Sequence, residues 1–230
     1  GLGVPTFWEA LVAGRSAART IARFRADDLT PNVAAEVAWD DGDADRAGAL
    51  ALRAAVEALA DAGLDAAALA PARLGVALGT TLGGMTIFEA WDAASGHVDG
   101  IERVPYYAPA VRLARHAGAR GPVATPQLAC ASGTLAVALA ASWIRAGRAD
   151  VVLAGGTDLL CRFLVAGFNC LRATSDAARP FDRRRKGLVL GEGAAVLVLE
   201  SEAHASVRGA RVQACVTGVG AAADAIHMTA

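Results

Sequence analysis

The sequence predicts an α/β fold with a largely parallel sheet, and three observations carry that prediction. Short aliphatic, β-branched runs alternate with longer amphipathic ones along the chain. Glycines stand where the amphipathic runs should stop, at Gly63, Gly118, Gly147 and Gly209. The run Asp150-Val151-Val152-Leu153-Ala154 is apolar without alternation, as a strand covered on both faces must be.

Taken in order, residues 44–62 read as a helix with Leu52, Val56 and Leu59 on one face. A strand follows at 73–79, where Leu74, Val76 and Leu78 alternate before the glycine-rich turn from Gly79 to Gly84. A second helix is expected from about Tyr107 to His116, and a strand at 123–128 leads to Cys130. The stretch from Ala131 to Ala146 is apolar almost all round and reads as a buried helix. After the strand at 150–154, Gly155-Gly156 is expected to turn the chain. Strands at 188–190, 195–199 and 211–219 and a short helix at 201–208 complete the reading, with no domain boundary inside residues 1–230.

Composition excludes several function classes. Lys+Arg number 22 against 23 Asp+Glu, a net charge of -1, so no global field draws nucleic acid or an anionic membrane, and docking to a charged partner must be local. No segment reaches the roughly 18 unbroken apolar residues of a spanning helix, and the start has no basic region before an apolar one, so a cytoplasmic protein is expected. The four cysteines, Cys130, Cys161, Cys170 and Cys215, have neither CxxC nor His-rich spacing; they fit neither a disulfide framework nor a zinc site. Lys186 is the only lysine and alanine abounds, a hint of a GC-rich bacterial genome. Gly79 to Gly84 lacks the Gly-Lys-Ser/Thr ending of a phosphate loop, and Gly218-Val219-Gly220 has no third glycine; neither a metal nor an organic cofactor is expected.

Cys130 lies in Gln127-Leu128-Ala129-Cys130-Ala131-Ser132-Gly133, between an expected strand and an expected helix. Such a turn presents its side chain at a sheet edge, where a helix N-terminus offers partial positive charge and free N–H groups to a thiolate, the reactive form. A free cysteine is also among the most buried residue types, so position alone leaves nucleophile and core residue both open. Cys161, Cys170 and Cys215 are read as lacking the strand-to-helix setting and as structural. Glu192, between Gly191 and Gly193, is read as a buried hydrogen bonder, because no carboxylate partner is placed for acid-base work.

Several ordered motifs then bear a resemblance. Ala129-Cys130-Ala131-Ser132-Gly133, the run from Gly147 to Gly156, Arg179-Pro180-Phe181-Asp182, Arg185-Lys186-Gly187, Gly191-Glu192-Gly193-Ala194 and the closing stretch from Asp224 to Thr229 together resemble the β-ketoacyl synthases that elongate acyl chains. The resemblance implies a thiolase-like fold layered α-β-α-β-α, of which this chain supplies mainly the first half, and a homodimer or a ketosynthase heterodimer. It implies Cys130 as the acyl-accepting nucleophile with its backbone N–H in the oxyanion hole, and acyl carrier protein, acyl- and malonyl-loaded, as partner. Decarboxylative condensation in fatty-acid, polyketide or polyene assembly would follow.

Arg172, after Gly167-Phe168-Asn169, resembles the basic residue that docks the acidic carrier; Arg103 joins it with weaker support, Arg46 with weaker still. The run Arg183 to Lys186 reads as a solvated loop in which Arg185 matches the motif.

The family pattern also implies a second half with two catalytic histidines and a lysine. None of His97, His116, His204 and His227 matches those histidines; His227 reads as structural and His204 as a solvated surface residue. Gly1-Leu2-Gly3-Val4 resembles the family's first strand, yet runs straight into Pro5, so the sequence is read as a cut chain or an ordered part of a longer one. Two alternatives stand beside this reading: a non-catalytic chain-length partner subunit, which generally lacks the cysteine, and a coenzyme A-dependent thiolase-like enzyme, from which the Arg-Pro-Phe-Asp and Gly-Glu-Gly-Ala pattern points away. The short interval from Phe168 to Arg179 suggests a specialised pathway.

Overall fold

In chain order the elements are helix α1 (Val4–Val12), strands β1 (Ala18–Thr20) and β2 (Val33–Ala35), helix α2 (Arg46–Asp61), strand β3 (Leu74–Gly79), helices α3 (Met85–Glu89) and α4 (Ala108–His116), strand β4 (Val123–Ala124), helix α5 (Ser132–Arg145), strand β5 (Val151–Asp158), helix α6 (Arg162–Cys170), strands β6 (Leu190–Gly191) and β7 (Gly193–Glu200), and helix α7 (Glu202–Val207). They come from a computed structural model, which describes residues 1–39, 42–91, 99–223 and 225.

The main sheet has the order β4-β3-β5-β7, with β3 parallel to β4 and β5, and β7 antiparallel to β5. Alternation along the two central strands sets the layers. Leu74, Val76 and Leu78 of β3 and Val151 and Leu153 of β5 point to one face, where Ala51, Ala55 and Leu59 of α2 and Leu113 of α4 cover them. Ala77, Val152 and Ala154 point to the other, against Ala136, Ala140 and Trp143 of α5. Helices therefore cover both faces, which is why these strands read as apolar runs. A small sheet, β1-β2-β6, lies apart and packs with Leu160 and Val165 through Ala34.

Six local expectations are corrected. Val56 of α2 is 49% exposed, because the covered face runs through Ala51, Ala55 and Leu59, one turn apart. The strand before Cys130 stops at Ala124: Pro126 has no N–H to extend a ladder, and the chain leaves the sheet there. Gly155-Gly156 does not turn the chain; β5 runs through both to Asp158. A Cβ on Gly155 would collide with the Ala195 carbonyl of β7, so glycine serves close packing here. Residues 211–219 form no strand and lie exposed, having no ladder partner among the described residues. Gly1 to Val4 does not form a strand either; Val4 and Pro5 open α1, and proline at a helix's first turn forfeits no hydrogen bond. Finally, α5 is buried on one side and half-exposed on the other.

Candidate active site

The parallel strands β3 and β5 end side by side, β7 begins beside them, and α5 starts above their ends. Such a crevice beyond the carboxyl ends of parallel strands is where open α/β sheets place ligands. A cleft of about 390 Å³ lies there, lined by Gly79 of β3, the turn residues Ala129 and Cys130, Ser132 and Gly133 of α5, Gly156 to Asp158 of β5 and Gly193 to Ala195 of β7. Small residues dominate because α5 sits nearly on the sheet: a Cβ on Gly79 would strike the Ser132 backbone, and one on Gly156 would lie 3.3 Å from the Gly133 Cα. Only minimal side chains leave room for a substrate over Cys130.

Cys130 is exposed at the cleft, two residues before the first turn of α5. The helix N-cap is Ala131, whose side chain has no oxygen to occupy the leading N–H groups. Ala129 sits at φ 44°, a left-handed conformation costly for a residue with a Cβ. The turn is closed by Ala131 N–H to Leu128 O (2.9 Å) and Ser132 N–H to Ala129 O (3.1 Å). Asp158 at the end of β5 accepts from Thr80 Oγ1 (3.0 Å) and from the N–H groups of Thr81 (2.8 Å) and Leu82 (3.2 Å), fixing the turn after β3 on the cleft's rim.

Cys161 is corrected on one point. It does occupy a strand-to-helix junction, as N-cap of α6 three residues beyond β5. The structural reading of it nevertheless holds: Cys161 is fully buried, and burial pushes its thiol up to about 12. Cys170 and Cys215 are exposed, so neither is a core residue as expected.

Glu192 is the buried hydrogen bonder it was read to be. Its carboxylate is completely buried and pairs with Arg46 (2.6 Å), itself 6% exposed, and accepts from Val37 N–H (2.9 Å). Burial alone would raise its carboxyl, but the bonds from Arg46 and Val37 outweigh it and hold the group below the usual carboxylate range. Arg46 is thereby corrected: a buried guanidinium bound also to the Trp39 and Val37 carbonyls cannot dock a partner. Sequence position gave no sign of this pair, since 146 residues separate its members.

Arg172 and Arg103 are both exposed, and neither lines the cleft. Arg103 spends its charge on Asp43 (3.5 Å) and Glu102 (3.4 Å). Arg172 follows α6 at φ 55°, where its N–H bonds Asn169 O, and among the described residues no carboxylate pairs with it. The run Arg183 to Lys186 is exposed as expected, with Arg184 turned back on Asp182. His204 is only partly solvated: it is half-buried, with Nδ1 2.7 Å from Glu200 Oε1. His116 ends α4, exposed; His97 and His227, with nearly all of the closing motif, lie outside the described residues. What the sequence missed at the cleft was Asp158 and the hydroxyl of Ser132, and Asp158 could have been sought as the polar residue ending the central strand.

Residues 1–205 match a family model described as beta-ketoacyl synthase, N-terminal domain. The tetracenomycin polyketide synthase ketoacyl synthase alpha subunit of Streptomyces glaucescens is 40% identical over 260 aligned positions, covering 100% of this chain and 61% of that protein. Among solved structures, a beta-ketoacyl synthase from Burkholderia phymatum STM815 matches with TM-score 0.85 and 33% identity over 98% of this chain and 62% of its own. The AntDE:AntF complex, a type II polyketide synthase acyl-carrier protein with its ketosynthase bound to the hexaketide, matches with TM-score 0.77 and 27% identity over 92% of this chain and 57% of its own. The chain spans about three-fifths of the length of these relatives. Among the described residues no helix is long and apolar enough to cross a membrane. With the family model covering most of its length and a thiolase-like ketosynthase architecture, the chain belongs to the β-ketoacyl synthase family.

Proposed function

We propose that this chain is the nucleophile-bearing part of a condensing enzyme that loads an acyl group from acyl carrier protein onto Cys130 and extends it with malonyl-carrier protein. The observation that carries this reading is an exposed cysteine on a strained turn, at the start of a helix and over a cleft of small residues. In the first step the Cys130 sulfur, as thiolate, forms a bond to the carbonyl carbon of the carrier-bound thioester. Negative charge moves to the carbonyl oxygen, where the Cys130 N–H is the assigned donor. The bond to the carrier's sulfur then breaks, and that sulfur leaves as a thiolate and takes up a proton.

In the second step malonyl-carrier protein loses carbon dioxide. The resulting enolate carbon attacks the acyl-Cys130 carbonyl, and the carbon–sulfur bond breaks to return the cysteine. The developing enolate needs hydrogen-bond donors, a role the family pattern gives to two histidines in its other half. A homodimer or ketosynthase heterodimer completes the assembly, and the acyl chain belongs to a specialised polyketide or related pathway. A chain-length partner subunit is disfavoured by Cys130 itself.

Carrier docking falls to Arg172, with Arg103 in support. An arginine held in a left-handed conformation at a helix end, where glycine costs nothing, points to a use for its side chain. The whole protein, given acyl-carrier protein without malonyl donor, should gain one acyl group at Cys130 by intact-mass and peptide-mapping spectrometry. Label on Cys170 or Cys215, or persisting in Cys130→Ala, would refute the reading.

A further inference from the structure

Cys130 sits at the middle of the five-residue turn Leu128 to Ser132, and the side chain of Ser132 closes that turn from inside. Its Oγ accepts from Leu128 N–H at 2.8 Å and donates to Ala129 O at 2.7 Å. With the two backbone bonds already described, four hydrogen bonds therefore span the turn, and two of them depend on one hydroxyl. The second of these anchor points belongs to Ala129 itself, which sits at φ 44°. A turn free to relax would carry Ala129 back to negative φ and swing the cysteine with it.

Ser132 cannot follow such a movement. It is 3% exposed, it is the first residue of α5, and Gly79 of β3 packs directly on its backbone. The hydroxyl thus ties a strained, exposed turn to a fixed point in the core. Its donor and one acceptor lone pair are used within the turn, and so it is not presented to the cleft as an acid or base.

We propose that Ser132 is a positioning residue that locks the strained Ala129–Cys130 turn and so holds the thiol ready for attack. The inference rests on Cys130 being the acyl acceptor, but the clamp itself can be tested without any acyl donor.

The test is iodoacetamide alkylation of the whole protein, with the rate at each cysteine followed by peptide mapping. Ser132→Ala should slow Cys130 by about tenfold or more, the scale expected when one hydroxyl serving two hydrogen bonds is lost, while Cys170 and Cys215 keep their rates. Ser132→Thr, which restores the hydroxyl, should recover most of the Cys130 rate. In an Ala129→Gly background, where positive φ carries no Cβ penalty, the loss from Ser132→Ala should shrink. Cys130 reacting at the original rate or faster in Ser132→Ala overturns the proposal, as do equal slowing at all exposed cysteines and an equal loss with and without Ala129→Gly. Should Ser132→Ala not fold, Ser132→Gly, which also lacks the hydroxyl, takes its place: slowing confined to Cys130 upholds the clamp, and an unchanged Cys130 rate overturns it. Because alkylation needs no carrier protein, a failed clamp and a failed acyl-enzyme reading give separate results.

Discussion

Cys130 and Cys161 stand at the same kind of place, between the end of a sheet segment and the start of a helix, and they differ in nearly everything else. Cys130 is exposed over a cleft, behind a residue at positive φ. Cys161 takes an extended conformation, φ -143°, with no exposed surface, packed with Ala47, Leu82 and Leu159. Burial pushes its thiol to about 12, and the nearby Glu89 carboxylate adds to the effect. A strand-to-helix junction therefore does not make a nucleophile. Of the two thiols only that of Cys130 is open to a cleft, and a helix N-terminus can act on a substrate only where a substrate can reach it.

The largest expected effect tests that contrast directly. At pH 8 a thiol with a value of about 12 has a thiolate fraction roughly three orders of magnitude below that of an unperturbed thiol. Brief iodoacetamide treatment of the native protein should label Cys130, Cys170 and Cys215 and leave Cys161 unlabelled. Comparable labelling of Cys161 would end the contrast. The linkage has a definite sign: the folded value lies above the unfolded one, near 8.5. The stability tied to a neutral Cys161 is thus complete below about pH 8.5 and is lost as pH rises from there toward 12. Cys161→Ala should flatten that alkaline decline in denaturant titrations.

The next effect concerns the pair that holds both cysteine regions. Glu192 accepts from Leu160 N–H (3.4 Å), next to Cys161, and immediately precedes Gly193 on the wall of the Cys130 cleft. Arg46→Met would leave its carboxylate charged, buried and short of its main partner, at a cost of about 3–5 kcal/mol. Denaturant unfolding at pH 7 should register that loss, and Cys161 should become alkylatable. Arg46→Met with Glu192→Leu should regain most of the stability. In the wild type the depressed Glu192 value means that its share of stability is present above about pH 4.3 and lost as pH falls below it toward the folded value. A loss under about 1 kcal/mol in Arg46→Met would show that the pair tethers neither region.

How much of this was legible follows from the range of the interactions involved. The α5 helix, the strands β3 and β5 and the glycine stops at Gly63, Gly118, Gly147 and Gly209 depend on near neighbours, and the sequence showed them; all four glycines have positive φ. Gly155-Gly156 misled because a glycine pair looks the same whether it serves a turn or close contact, and only Ala195 and Gly133 from other elements decide which. The turn that carries Cys130 was readable from its place before the α5 helix and from the family resemblance, although the strand expected to lead to it stops at Ala124. The Arg46–Glu192 pair was not, nor was the burial of Cys161, because each is made by segments far apart in the chain. Exposure misled in the other direction at Cys170 and Cys215, which local sequence could not separate from core positions.

The smallest effect separates docking from chemistry, and so separates the surface from the cleft. Arg172 is exposed, unpaired among the described residues, and absent from the cleft wall, whereas Arg103 is partly neutralised by Asp43 and Glu102. A surface charge of this kind contributes about 0.2–1 kcal/mol to a single ion pair. Arg172→Glu replaces attraction with repulsion, so carrier-protein binding should weaken by roughly threefold to tenfold in low salt. Because exposed charges are screened over about 8–10 Å at physiological ionic strength, the difference should narrow as salt is added. Arg103→Glu should weaken binding less, since Asp43 and Glu102 already offset its charge. Acylation of Cys130 by a small carrier-free thioester should be unchanged in both variants, as neither side chain reaches the cleft. If Arg172→Glu slowed acylation by the small thioester as much as by the carrier-bound one, Arg172 would belong with Cys130 in the chemistry, and the division between docking surface and reactive cleft would fall.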